Sequence, residues 1–180
     1  MECSYKDMLK LEPYSLEKKE KQKLLDRRLI SLSKQHYQTC EAYKRILDAF
    51  NINLEEIECY NKLPFLPVRL FKELELRSVS EQKIVKIMTS SGTTSQQVSK
   101  IYVDKITAEY QQKTLAKIVS SFTGNARMPM LIIDCPSVIK NRAMFSARGA
   151  GILGFSIFGR DKLYAFNDEM QLDIEKVSTF

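Results

Sequence analysis

Six hydroxyls crowd into the seven residues Thr89-Ser-Ser-Gly-Thr-Thr-Ser95, and the seventh residue is Gly92. A loop of that composition offers backbone N–H groups and O–H donors to one small volume. Phosphate oxygens are the ligand that such a surface suits. Gly92 supplies the backbone freedom that a tight loop requires. On composition alone, the simpler account is a solvated hairpin loop whose Ser and Thr side chains bond their own backbone. A Walker loop fits poorly, because it needs G-x-x-x-x-G-K-[ST] leading into a helix. This stretch has one glycine and leads into an apolar, strand-like run.

Other chemistry-bearing residues are sparse. Cys3, Cys40, Cys59 and Cys135 are scattered without a Cys-x-x-Cys pair, and His36 is the single histidine. Zinc sites, Cys–His pairs and Ser-His-Asp schemes are therefore disfavoured, and free buried thiols in a reducing compartment are expected. Cys135, beside Asp134 at the end of an apolar run, is the one thiol worth probing, with inert burial as its simpler account. Gly149-Ala-Gly-Ile-Leu-Gly154 spells G-x-G-x-x-G. The dinucleotide fingerprint needs those glycines directly after a strand and opening a helix. Here they lie well beyond the nearest strand-like run, so close helix packing is the expectation.

These groups must be positioned by a chain of 180 residues, 44% hydrophobic and 28% charged, which is ordinary for a globular protein. No run approaches the roughly 18 to 20 apolar residues of a membrane span, and the first fifteen residues lack a secretory core, so a cytoplasmic location is expected. The net charge of +6 is modest. The Lys18–Lys23 cluster is interleaved with Glu20 and followed by Asp26, which suits a solvated helix face better than a nucleic-acid patch.

Residues 15–50 read as helical throughout, with Ser15 as N-cap, Leu24, Leu25, Leu29 and Leu32 at helical spacing, and a second set from Tyr37 to Phe50. Asn51 and Asn53 mark the end, and residues 54–60 suggest a short helix. Pro64 and Pro67 fix an extended hinge, after which Val68 to Leu74 reads as helical. Ile84 to Met88 and Ile101 to Val103 read as strands flanking the hydroxyl loop. Asp104 is placed to cap a helix over residues 105–121, which Thr123-Gly124 breaks. Met128 to Asp134 reads as a buried, parallel strand, with further strands over residues 154–158 and 162–166 and an amphipathic helix over Met170 to Phe180. The expectation is an α/β fold: a helical N-terminal segment (1–60), then a mixed or parallel sheet with flanking helices (61–180). Sites in such folds lie at the strands' carboxyl ends.

Ser90-Ser-Gly-Thr-Thr94, between two strands and followed by Lys100, resembles the phosphate-binding motif of adenylate-forming enzymes, Ser/Thr-Ser/Thr-Gly-Thr-Thr-Gly-x-Pro-Lys. A wider set resembles the acyl-protein synthetase family, the long-chain-fatty-acid ligases of bacterial bioluminescence and their relatives. It comprises Leu63-Pro-Phe-Leu-Pro-Val-Arg-Leu-Phe-Lys72, Met88 to Ser95, Ile101-Tyr-Val-Asp104 and Pro129 to Asp134. The likeness spans residues 60–165.

The resemblance implies part of the large N-terminal domain of adenylate-forming enzymes, and a ligase that couples ATP and Mg²⁺ to a fatty acid through acyl-AMP. The acyl group then passes to a cysteine and on to a fatty-acid reductase subunit, with an acyl-transferase subunit as a further partner. It carries over Ser90, Ser91, Gly92, Thr93, Thr94, Ser95 and Lys100 as nucleotide-binding positions and assigns no catalytic residue. Ser95 stands where the motif has glycine, Gln97 where it has proline, and Lys100 falls two places late. Family members are about twice as long. The expectation is therefore an N-terminal portion that holds phosphates but releases little pyrophosphate alone, the alternative being a truncated, non-catalytic interaction module. None of the four cysteines matches the family's acylated one.

Overall fold

The computed structural model describes residues 5–90, 98–140 and 144–180. The chain divides into two compact units, Met1–Lys83 and Ile84–Phe180. In the first, a short helix α1 (Tyr5–Met8) precedes α2 (Lys18–Thr39) and α3 (Glu41–Ala49). Ser15 is not the cap of α2. Tyr14 takes a left-handed φ of 63°, and the resulting turn draws the Ser15 hydroxyl back to donate to the Glu12 carbonyl at 2.7 Å. The N-cap position falls at Glu17, without a side-chain bond.

Nor is the helix continuous to residue 50. Cys40 is extended (φ −122°, ψ 101°), and it is buried. An unbroken helix would separate residues 37 and 48 by about 16 Å. Instead the Tyr37 hydroxyl donates to Asp48 Oδ1 at 2.7 Å, so α3 folds back on α2. Asn51, at φ 53°, then ends α3, and Ile52 N–H returns to the Leu47 carbonyl at 3.0 Å. This is the bonding of a left-handed helix stop. Leu47, Cys40 and Leu54 form the buried centre of this unit.

Residues 54–60 give two 3-10 turns, Leu54–Glu56 and Tyr60–Lys62, instead of one helix. The second is tethered to α2 by Asp26, whose Oδ1 accepts from Tyr60 N–H at 2.8 Å. After Pro67 only Leu70–Glu73 is α-helical (α4).

The second unit opens with β1 (Ile84–Thr89) and β2 (Lys100–Asp104), antiparallel as their sequences predict. Helix α5 (Lys105–Thr123) follows at once, because Asp104 Oδ1 accepts from Thr107 N–H at 2.8 Å, and it ends at Gly124 with φ 76°. Then come β3 (Met128–Ile132), a 3-10 turn (Pro136–Ile139), β4 (Met144–Ser146), α6 (Ala147–Phe155), a second 3-10 turn (Ser156–Phe158), β5 (Gly159–Tyr164) and α7 (Ile174–Thr179).

The strands form two small sheets among the described residues. One has the order β2-β1-β4, with β4 parallel to β1; the other pairs β3 with β5 in parallel. The fold is mixed α/β, as expected, although not one continuous sheet. The expected strand at 154–158 is the end of α6 and its 3-10 turn, and the next strand begins earlier than expected, at Gly159. Gly159 is there for space: a Cβ would lie 2.8 Å from Met130 Cβ and Sδ across the β3–β5 pair. β3 is parallel but less buried than its apolar run implies. Within it Ile132 is buried, while Met128 and Leu131 are exposed, as is Ile133 just beyond.

Candidate functional site

The carboxyl end of β1 and the amino end of β2 form the mouth of the hydroxyl-rich loop. Thr89 lies opposite Lys100 in the antiparallel ladder, which puts both side chains on one face of the sheet. The exposed Lys100 ammonium therefore adds positive charge at the mouth. One step further, Ser90 and Ser99 close the loop's base with two bonds. Ser90 N–H donates to the Ser99 carbonyl at 3.3 Å, and Ser99 N–H donates to Ser90 Oγ at 3.1 Å. Ser99 is buried, so its N–H would be costly to leave unpaired. Ser90 thus acts first as the loop's clasp. Ser91, Gly92, Thr93, Thr94 and Ser95 lie outside the described residues.

On the other side of β1, Thr89 is the Cα partner of Ser146, the last residue of β4. Both parallel strands therefore end at the same edge: the loop leaves from one, and α6 begins directly after the other. Ligands of α/β sheets bind at this edge. The glycine triplet is in α6 and not in a phosphate turn. Gly154 lets α6 approach α5, since a Cβ there would sit 3.1 Å from Leu115 Cδ2. Gly151 faces open space, so helix packing explains only part of the triplet.

A second polar group gathers at the carboxyl end of β3. Asp134, 3% exposed, accepts from Cys135 N–H at 2.8 Å through Oδ1 and pairs through Oδ2 with Arg148 Nε at 2.9 Å. The Cys135 thiol is buried and 3.0 Å from Ser137 Oγ. Burial holds the nearby Tyr164 phenol above its ordinary pKa, and Asp134 and Cys135 add to the rise. Asp168 closes the outer side, accepting from Ser137 N–H at 3.0 Å and Lys140 Nζ at 2.7 Å. The Lys140 bond is the main reason its carboxyl titrates low.

Arg148 was not legible as a site residue. It sits in a run of small residues with no local signature, and only the fold brings it to Asp134. Among the described residues, no group of three or more His, Cys, Asp or Glu could hold a metal ion. No described helix is long and apolar enough to cross a membrane.

No curated protein matches the chain. The family model described as LuxE, acyl-protein synthetase, matches residues 3–179, which is nearly the whole length. That match takes in the hinge, the loop mouth and the Asp134 cluster alike, and the chain belongs to the acyl-protein synthetase family.

Proposed function

We propose that the chain binds ATP through the loop between β1 and β2 and serves the activation of a fatty acid as its acyl-adenylate, on a domain akin to that of adenylate-forming enzymes. The observation that carries this is the loop's mouth. A hydroxyl-rich segment is clasped at its base by Ser90 and Ser99, and leaves the carboxyl end of a strand that is paired in parallel with β4 and whose Thr89 lies opposite Lys100. Thr93 and Thr94 donate to phosphate oxygens, with Ser90, Ser91 and Ser95 lending further O–H groups and Gly92 the backbone freedom. Lys100 offsets negative charge at the rim.

In the reaction, a carboxylate oxygen of the fatty acid attacks the α-phosphorus. The bond from that phosphorus to the bridging oxygen breaks, and pyrophosphate leaves. A thiol sulfur then attacks the acyl carbonyl carbon, AMP departs, and the thiol proton goes to solvent. Mg²⁺ brought in with the nucleotide would supply charge neutralisation on the phosphates; such an ion keeps several waters and needs only one or two protein oxygens, so a dedicated ligand cluster would not be required. The chain's own contribution is to hold the phosphates in line and to meet the charge that develops on them.

Calorimetry with ATP·Mg²⁺ on the whole chain tests this reading. Saturable binding is expected, displaced by a non-hydrolysable long-chain acyl-AMP mimic. A mimic that fails to displace bound ATP would remove the acyl-adenylate assignment.

A further inference from the structure

The run of β3 ends on a carboxylate that water barely reaches: Asp134 is 3% exposed, whereas its partner Arg148 is 61% exposed. A buried charge needs a partner, but neutralising Asp134 explains only one nitrogen of the guanidinium. The pair is made through Nε at 2.9 Å, and most of the arginine side chain stays open to solvent. A guanidinium anchored in this way is fixed in orientation and keeps a planar set of donors for a second anion. Anchoring also prepays the rotamer entropy that a free surface arginine loses on binding.

The position of Arg148 gives this an object. It follows Ser146 by two residues, and Ser146 is the register partner of Thr89. Its backbone therefore stands at the same sheet edge from which the hydroxyl-rich loop departs, across β1 from Lys100.

We propose that Arg148 is an anion-binding residue of this site, taking phosphate oxygens of the nucleotide, and that Asp134 is the positioning residue that aims it. This rests on the phosphate-loop reading. Lys100 and Arg148 then flank β1, one from the β2 side and one from the β4 side, with the triphosphate between them.

The test is calorimetry on the full chain with two probes, ATP·Mg²⁺ and inorganic pyrophosphate·Mg²⁺. Arg148→Lys leaves Asp134 a cation but removes the planar fork. It is expected to weaken both probes roughly tenfold while the thermal midpoint without ligand stays near that of the unaltered chain. Should Arg148→Lys not fold, the neutral pair Asp134→Asn with Arg148→Gln reads the same affinities without a buried charge, and the same loss is expected. A variant that folds and binds both probes as the unaltered chain does overturns the inference; if Thr93→Ala with Thr94→Ala still abolishes binding, the loop reading survives. Failure of the unaltered chain to bind either probe overturns both.

Discussion

Ser90 illustrates how one residue can serve the scaffold and the site together. Its Oγ accepts from the buried Ser99 N–H, and its backbone pairs with the Ser99 carbonyl. Ser90→Ala keeps the backbone bond and orphans the buried N–H, so a loss of about 1 kcal/mol is expected in denaturant unfolding. Ser90→Thr, which retains the oxygen, should recover most of it. At Gly159 the constraint is steric. The residue's φ of −95° is open to any amino acid, but an added Cβ meets Met130 Cβ at 2.8 Å. Gly159→Ala should cost roughly 1–3 kcal/mol, as overpacking does, and a further Met130→Ala substitution should relieve part of that cost. A Gly159→Ala variant as stable as the parent would contradict the tight β3–β5 contact.

Helix α3 depends on a single fully buried leucine. Leu47 is 0% exposed at the centre of the first unit, and Leu47→Ala should destabilise it by about 2–5 kcal/mol. His36 adds a pH dependence. Its Nδ1 lies 2.6 Å from Ser78 Oγ, its ring stands edge-on to Tyr43, and partial burial lowers its pKa below the ordinary histidine value. A depressed pKa means that the folded state binds fewer protons. The contribution is thus present above the unfolded value of about 6.5 and is lost as pH falls through the lower folded value. Thermal midpoints measured from pH 7.5 to 5 should fall less steeply in His36→Gln than in the parent.

Elements were legible where a local rule decides them. Asp104 caps α5, Gly124 ends it, and the strands beside the hydroxyl loop follow their apolar runs. They were misread where a tertiary demand overrides the local pattern. Cys40 breaks a run that has no Gly or Pro, and α3 folds back with Leu47 buried. Residues 154–158 have strand-like composition but finish a helix whose Gly154 packs against Leu115.

For the molecule as a whole, the family was legible because its residues form an ordered set spread over half the chain. The Asp134–Arg148 pair was not, because its members are separated by a turn, a strand and the start of a helix, and no spacing rule joins them. Six hydroxyls around Gly92 point to a loop between β1 and β2 that holds phosphates. The most direct measurement is titration of ATP·Mg²⁺ into the unaltered chain and into Thr93→Ala with Thr94→Ala. Losing two hydroxyl donors should weaken binding by tenfold or more, given about 1 kcal/mol for each bond, without lowering the thermal midpoint of the free protein. Undetectable binding at millimolar nucleotide, or equal affinity for both proteins, would contradict it.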